Sequence, residues 1–272
     1  MSSPEHPAAE ITPPSAGPAQ LGVVPVARLG VEDPPWDLWG VMALLAIAIV
    51  SFFFFSIVVL LAAKYVIYRS ESVVTIGQRH PLLGVLVELL MYGVLLSFMA
   101  ALVRRSGRGF LQGLQWNWPS SWWGYLVLGF VLAIGLGILE SKLHLPMPEH
   151  PPMERFFRTS RDAWLLVGFG TLVAPFMEEL FFRGFLYPAL ARRVGIYASI
   201  FLTSLSFGLI HAAQFAFAWA PVLVIVMVGV VLTLVRALRR SVAGSMLVHF
   251  AYNLTLFTAM FVQTQGFRHL GS

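Results

Sequence analysis

Long apolar runs separated by short polar segments dominate the chain from residue 38 onward. A helix needs about 20 mostly apolar residues to cross a membrane, and seven stretches meet that length to within a few residues. They are residues 38–63, 81–103, 122–140, 163–188, 196–213, 217–236 and 241–263. Gln214, Trp219 and Pro221 indicate a tight turn between the fifth and the sixth. The pattern predicts an all-α fold, a polytopic membrane helix bundle of about seven (six to eight) transmembrane helices.

Residues 1–35 differ from the rest of the chain because they are rich in Pro, Ala, Ser and Gly. Such a segment cannot bury enough apolar surface to offset the entropy that is lost on ordering. We expect it to be a disordered, Pro-rich tail, followed by one integral membrane helical domain over residues 36–272. The first apolar run is too long for the apolar region of a secretory signal, so it is expected to be a membrane helix.

Tryptophan residues gather near the predicted span ends. An indole ring is amphipathic and prefers the headgroup level of a bilayer, so we expect these rings to lie there. The residues concerned are Trp36, Trp39, Trp116, Trp118, Trp122 and Trp123. Residues 104–121, between the second and third spans, have room for a short interfacial helix.

The composition identifies the lipid bilayer as the main partner. Hydrophobic residues make up 58% of the chain and charged residues 11%, which lies outside the range of soluble domains. Cysteine is absent, so disulfides, thiolate metal sites and cysteine nucleophiles are excluded. Although the formal charge is +5, the arginines stand in short groups beside apolar runs, which argues against a nucleic-acid partner.

The basic residues at the span ends predict the orientation of the chain. On the seven-span interpretation, nine of them fall on the side of the N-terminus and eight on the other side. The nine form compact groups, namely Arg28, Arg104, Arg105, Arg108, Arg192, Arg193, Arg236, Arg239 and Arg240. Because basic residues are enriched in cytoplasmic loops, we expect a cytoplasmic N-terminus, and the compact, cysteine-free chain suggests a bacterial inner membrane.

Ionisable side chains inside the spans are the main indication of chemistry. A charged side chain at bilayer depth costs about 2.5–3.5 kcal/mol on insertion scales, so it usually has a partner or a task. In the fourth span, Glu179 and Arg183 are four residues apart and can pair on one helical face. Glu178 points about 100° away around the helix and has no basic residue three or four positions later. It should therefore face another helix, where a carboxylate suits general acid and base chemistry.

The fifth and seventh spans carry complementary groups. Phe207 can pack against His211, and His249 shares a face with Asn253, because both pairs have the i, i+4 spacing. Two histidines and Glu178 from three helices could bind Zn²⁺ with an open position for water, or could hold and deprotonate a water themselves. Asn253 would then donate to a developing oxyanion. A single Asn in a span is usually structural, but the combination on separate spans indicates a functional site.

Three short motifs resemble those of a known family. They are, in chain order, Glu178-Glu179-x-x-x-Arg183, Phe207-x-x-x-His211 and His249-x-x-x-Asn253. The ordered set is similar to that of the CAAX prenyl protease and bacteriocin-processing family of intramembrane endopeptidases, also called the CPBP or Abi family. The resemblance covers residues 160–262, which are therefore the expected catalytic core.

This resemblance implies hydrolysis of a peptide bond in a membrane-associated protein or peptide, by water and without an acyl-enzyme. It makes Glu178 the general base, His211 a residue that helps to hold the water, and His249 with Asn253 the stabilisers of the oxyanion. The supporting residues are Glu179, Arg183 and Phe207. Family members are commonly labelled metalloproteases, so Zn²⁺ held by Glu178, His211 and His249 is one expectation and a metal-free site is the other. Eukaryotic relatives cleave prenylated substrates, whereas other relatives act on different peptides.

Two other functions fit the same residues. A non-proteolytic membrane scaffold or bacteriocin-immunity-type protein would keep the constellation for structure, and a relative that lacks Glu178 but keeps its function would favour this. Proton-coupled transporters also use Glu and His in spans, but they need a continuous polar path, whereas these residues gather in one layer. Residues 146–161, with mixed arginine and aromatic content, are a candidate amphipathic lid or substrate ramp.

Overall fold

A computed structural model describes residues 32–149 and 151–269. Over these residues the chain forms helices and no strand, so the predicted all-α bundle is confirmed. The helices, numbered along the chain, are α1 (Leu38–Ile67), α2 (Val73–Arg79), α3 (Pro81–Arg104), α4 (Phe110–Gly113), α5 (Trp123–Leu143), α6 (Ser160–Val194), α7 (Ile196–Ile210), α8 (Trp219–Arg239) and α9 (Val242–Gln263). Within the described ranges, six are long and apolar enough to span a membrane, namely α1, α3, α5, α6, α8 and α9.

The fifth predicted span is shorter than expected. Helix α7 has 15 residues, about 22 Å at 1.5 Å per residue, whereas the hydrocarbon core of a bilayer is about 30 Å thick. The helix ends because a 3₁₀ turn follows at Ala212–Phe215, and Ala216 and Phe217 then take positive φ angles of 52° and 60°. This is the predicted tight turn before α8, and it leaves His211 just beyond the end of a helix.

Two glycines permit close packing of the helices that carry the histidines. A Cβ atom on Gly208 of α7 would lie 2.4 Å from Cγ2 of Val226 on α8, and one on Gly129 of α5 would lie 2.3 Å from the carbonyl oxygen of Val248 on α9. Small residues are what allow membrane helices to approach so closely. Helix α7 is therefore held tightly against α8, and α9 against α5.

Helix α6 changes its winding on both sides of its two glutamates. π-Helical stretches at Phe169–Val173 and Leu180–Leu186 flank the α-helical segment Ala174–Glu179. Such stretches are rare and often occur at functional sites. Each is followed closely by a proline, Pro175 or Pro188, near the start of the next α-helical segment.

The two prolines leave two carbonyls of α6 without a helical donor. In a π-helical register each N–H bonds the carbonyl five residues earlier, and the residue just before each proline makes such a bond. The next donor in the same register would be Pro175 or Pro188, and proline has no N–H. The carbonyls of Gly170 and Arg183 therefore need donors from elsewhere in the molecule.

The predicted tail lies outside the described residues up to residue 31, but residues 32–35 are described and Glu32 is buried. The packed part of the chain thus begins earlier than residue 36. Trp36 belongs to a buried apolar cluster formed by α1, α3 and α6, and its Nε1 donates to the carbonyl of Phe185 (3.1 Å). The Trp36 ring is therefore packed inside the protein, where this carbonyl satisfies its indole N–H, and its level in the bilayer stays a prediction.

Candidate active site

Glu178, His211 and His249 converge from three different parts of the chain. Oε1 of Glu178 on α6 lies 3.8 Å from Nε2 of His211, and Oε2 lies 3.7 Å from Nε2 of His249 on α9. The side chains of Glu178 and His211 are 19% and 16% exposed, whereas that of His249 is 5% exposed. Three of the four predicted catalytic residues thus meet, and the Glu178 and His211 side of the site is the accessible one.

Hydrogen bonds at Nδ1 set the proton positions on both imidazoles. Nδ1 of His211 lies 2.7 Å from the carbonyl of Phe207, and Nδ1 of His249 lies 2.9 Å from Oε1 of Glu179. Carbonyls and carboxylates accept hydrogen bonds, so each Nδ1 carries a proton, and each ring in its neutral form presents a lone pair at Nε2. Three acceptors therefore face one another at separations too long for direct hydrogen bonds. A water molecule could donate one proton to Glu178 and the other to one of the two Nε2 atoms.

Glu179 orients His249 as well as pairing with Arg183. The carboxylate is fully buried and accepts from Nη1 of Arg183 (2.9 Å), Oγ of Ser245 (2.5 Å) and Nδ1 of His249 (2.9 Å). The predicted pair with Arg183 is present, but its role as the partner of His249 was not foreseen. Ser245 was also missed, although it precedes His249 by four residues, the spacing that places Asn253 on the same face.

Arg183 and Phe207 form the support beneath the histidines. The buried guanidinium of Arg183 also donates to the carbonyl of Gly229 (3.1 Å) and to Oγ1 of Thr233 (3.4 Å) on α8. Its Cζ lies 4.5 Å from the ring centroid of Phe207, which permits a cation–π contact. The Phe207 ring in turn contacts both imidazoles, at centroid distances of 4.9 Å (His211) and 5.7 Å (the α9 histidine).

Asn253 lies one turn beyond His249 on α9, as predicted, and bonds the backbone of α6. Its Nδ2 donates to the carbonyl of Gly170 (2.7 Å), one of the two carbonyls that lack a helical donor. A carboxamide has two N–H donors and an acceptor oxygen, so this bond fixes the amide plane and uses one donor. The role of Asn253 towards an oxyanion stays a prediction.

Helix α3 also contributes to the surroundings of Glu178. Glu88 interacts electrostatically with Glu178, and Tyr92, one turn later, stacks on Phe169 of the first π-helical stretch (6.2 Å, 5° between planes). None of the three motifs lies in α3.

The candidate lid lies beside the accessible end of the site. Residues Pro152–Phe156 form a 3₁₀ turn that contacts α2 and the turn Ala212–Phe215, directly after His211. The guanidinium of Arg155 lies over the ring of Phe156 (5.0 Å). The segment is therefore placed where it could border an entrance, although its action as a lid stays a hypothesis.

Two imidazole nitrogens and a carboxylate form a donor set that Zn²⁺ takes in hydrolases. In the part of the chain that the structure describes, however, no group of three or more His, Cys, Asp or Glu side chains has an arrangement that could hold a metal ion. The donor types at Glu178, His211 and His249 suit zinc, whereas their arrangement does not form a metal site. Zinc binding by these residues stays a prediction.

Comparison with known proteins gives one match. Residues 160–255 match the family model described as "type II CAAX prenyl endopeptidase Rce1-like". The matched segment contains all three motifs and confirms the resemblance noted from the sequence. No curated protein and no solved structure matches the chain.

Proposed function

We propose that this chain, whose residues 160–255 match the family model of Rce1-like type II CAAX prenyl endopeptidases, is an intramembrane endopeptidase. It hydrolyses a peptide bond in a membrane-associated protein or peptide. The observation that carries the proposal is the approach of Nε2 of His211 and Nε2 of His249 to the carboxylate of Glu178, at 3.8 Å and 3.7 Å. Such an arrangement can hold and polarise one water molecule.

In the proposed reaction, Glu178 is the general base. The water donates one hydrogen bond to the Glu178 carboxylate and the other to Nε2 of His211. As its oxygen attacks the scissile carbonyl carbon, one proton passes to Glu178 and a C–O bond forms. When the C–N bond breaks, that proton passes to the leaving nitrogen, giving a carboxylic acid and an amine. No covalent bond to the enzyme is needed.

His249 and Asn253 are the proposed donors to the oxyanion. Because Nδ1 of His249 already donates to Glu179, the ring can donate at Nε2 only when both nitrogens are protonated. The buried Glu179 carboxylate, 2.9 Å from Nδ1, offers the countercharge for that state. The second N–H of Asn253 would be the other donor. Glu179 thus supports the reaction through His249.

The substrate class follows from the family and from the surroundings of the site. The family description refers to a prenyl endopeptidase, and the site lies on helices that can span a membrane. We therefore expect a substrate that is tethered to the bilayer, and a prenylated peptide is the first to test. The partly exposed side of Glu178 and His211, bordered by the turn Pro152–Phe156, is the proposed entrance.

The experiment compares purified wild type with Glu178→Gln on prenylated and unprenylated membrane-tethered peptides. Removal of the general base is expected to lower kcat by about 100- to 10,000-fold. Glu140→Gln, the same change in α5, is the matched control and should cleave like the wild type. Equal cleavage by Glu178→Gln and wild type would overturn the proposed role of Glu178, whereas no cleavage of any of these peptides by the wild type would favour a scaffold or immunity-type function.

Metal dependence is tested in the same assay with a chelator and with added Zn²⁺. A bound zinc ion would lower the pKa of a water and polarise a carbonyl. Activity that a chelator abolishes and Zn²⁺ restores would support a zinc enzyme. Activity that is unchanged by both would support water activation by the side chains alone.

A further inference from the structure

We propose that Glu32 and Arg236 form a positioning pair, which fixes the backbone of α6 behind the catalytic glutamates. Neither residue belongs to the three motifs or is expected to touch the substrate. The inference rests on the proposed peptidase function, but its structural part can be tested without activity.

The need for such a pair arises from Pro188. Because this proline has no N–H, the carbonyl of Arg183 lacks its donor within the π-helical stretch Leu180–Leu186. An unpaired carbonyl in the interior is unfavourable. Nε of Arg236 on α8 donates to this carbonyl at 3.1 Å and so replaces the missing helical bond.

Glu32 is what allows Arg236 to be there. Arg236 is 1% exposed and Glu32 3% exposed, and they form a two-pronged pair, with Nη1 3.0 Å from Oε1 and Nη2 3.3 Å from Oε2. Gln115 also donates to Oε2 of Glu32 (3.3 Å). A buried guanidinium without its carboxylate would be strongly unfavourable. The Glu32 carboxylate thus holds Arg236 in place. The guanidinium of Arg236 donates from Nη1 and Nη2 to this carboxylate and from Nε to the backbone of α6.

The segment that carries Glu32 is itself tied to α6. Arg192 donates to the carbonyls of Pro34 and Trp36 (3.0 and 2.9 Å), and the indole of Trp36 donates to the carbonyl of Phe185 (3.1 Å). These contacts lie along the second half of α6. Glu32 therefore reaches α8 from a segment that is fixed to the catalytic helix.

Arg183, whose carbonyl accepts the hydrogen bond from Arg236, is linked through its side chain to the proposed catalytic residues. The backbone of Arg183 is held by Arg236, and its side chain holds Glu179 (2.9 Å), which in turn holds His249 (2.9 Å). A shift of the Arg183 backbone would therefore move the carboxylate that orients the imidazole. Misplacement of about 1 Å at a distance from the chemistry can cost on the order of 100-fold in rate.

The two carbonyls of α6 that lack a helical donor lie on either side of the two glutamates, and each receives a donor from a neighbouring helix. Asn253 of α9 bonds that of Gly170 before the glutamates, and Arg236 of α8 bonds that of Arg183 after them. The α-helical segment Ala174–Glu179 is thus fixed at both ends by neighbouring helices. Asn253 is also a proposed oxyanion donor, whereas Arg236 acts through the backbone alone.

The test measures kcat and KM for Arg236→Met, with Arg239→Met as the matched control. Arg239 lies on the same helix and is exposed. Arg236→Met is expected to lower kcat by about 10- to 100-fold with little change in KM, and Arg239→Met to leave both unchanged. Equal kinetics for the two variants would overturn the proposal.

A double variant separates positioning from stability. In Glu32→Leu with Arg236→Met, neither charge remains buried, so thermal stability should recover relative to Arg236→Met. The Arg183 carbonyl still lacks a donor, so kcat should stay low. Recovery of kcat together with stability would mean a structural role only and would contradict the proposal.

Hydrogen–deuterium exchange tests, without a substrate, whether Arg236 holds the backbone of α6 in place. Deuterium uptake over residues 180–190 should rise at least threefold in Arg236→Met and stay unchanged in Arg239→Met. Unchanged uptake in Arg236→Met would contradict the proposed role of Arg236 in fixing the backbone of α6. If the wild type cleaved no peptide while uptake rose in Arg236→Met, the proposed peptidase function would fail. The role of Arg236 in holding the backbone of α6 would still be supported.

Discussion

At the scale of single residues, a hydrogen bond at Nδ1 orients each of the two histidines in the candidate site. Each imidazole has its Nδ1 occupied, by a carbonyl for His211 and by a carboxylate for His249. This leaves both Nε2 atoms directed at Glu178. The two adjacent carboxylates thus make different contacts, since Glu178 faces both Nε2 atoms and Glu179 accepts from Nδ1 of His249.

Ser245 offers a sensitive test of that second task. Ser245→Ala removes a hydrogen bond to the buried Glu179 carboxylate, and bonds to charged groups contribute about 1.5–3 kcal/mol to stability. We expect a loss of that size in the free energy of unfolding, with a decrease in kcat. Thermal unfolding in detergent and steady-state kinetics measure both effects.

The matched control is Ser206→Ala, which removes a hydroxyl that bonds only the Leu202 carbonyl of its own helix, in an exposed position. Its effect should stay within about 0.5 kcal/mol. If both serine variants behaved alike, Glu179 would not depend on Ser245.

The residue pattern allowed some of these contacts to be predicted. The i, i+4 rule that paired Glu179 with Arg183 also places Ser245 and His249 together, so that partner was accessible from the sequence. Glu32 and Arg236 are 204 positions apart, and local spacing gives no information about such a contact. The sequence places Arg236 among the basic residues at span ends, where arginines usually anchor at the membrane surface, and the structure buries it instead.

At the scale of helices, tight contacts place the histidines. His211 follows a helix of only 15 residues, so its position depends on how α7 lies against α8. The side chain of Val226 and the carbonyl of Val222 would lie 2.4 and 3.1 Å from a Cβ at Gly208. An added methyl group must therefore push the two helices apart.

Gly208→Ala is consequently expected to destabilise the protein by about 1–3 kcal/mol, as overpacking usually does. Gly135→Ala on α5 is the control, since its Cβ would meet nothing within 4 Å and alanine favours helix by up to about 1 kcal/mol. In thermal unfolding, the melting temperature should fall in Gly208→Ala and should rise or stay unchanged in Gly135→Ala. A Gly208→Ala protein as stable as the wild type would show that α7 and α8 can separate at no cost.

The sequence predicted most helices but not the winding of α6. Apolar length alone determines that a segment can span a bilayer, and this held for six long helices among the described residues. Pro175 and Pro188 within a helix would ordinarily indicate a kink or an end. The helix continues because π-helical turns and side chains from α8 and α9 compensate, and these are tertiary contacts that a local pattern does not contain.

At the scale of the whole molecule, some residues that precede the matched segment also contribute to the surroundings of the candidate site. The family match begins at residue 160, yet Glu88 of α3 interacts with Glu178 and α5 packs closely on α9. The segment before α1 supplies Glu32. The motifs thus contain the proposed catalytic groups, and parts of the preceding chain pack close to them.

The burial of Arg236 changes the charge count on which the orientation was predicted. Without it, eight basic residues of the original nine remain on the N-terminal side, equal to the eight on the other side. The cytoplasmic N-terminus stays a prediction, and it rests on the compact grouping of the remaining arginines.

The absence of cysteine allows a direct test of orientation. With single cysteines at the exposed positions Arg105 and Lys142, at opposite ends of the bundle, a membrane-impermeant maleimide should label Lys142→Cys in intact cells. It should label Arg105→Cys only after lysis. The reverse pattern would place the N-terminus outside.

The most direct test of water-mediated hydrolysis at Glu178 is mass spectrometry of the products formed from a membrane-tethered prenylated peptide in H₂¹⁸O. The wild type is expected to give a product whose new carboxyl group carries one ¹⁸O atom, and Glu178→Gln to give at least 100-fold less of it. The same labelled product at the same rate from both proteins would contradict the assignment of Glu178 as the base.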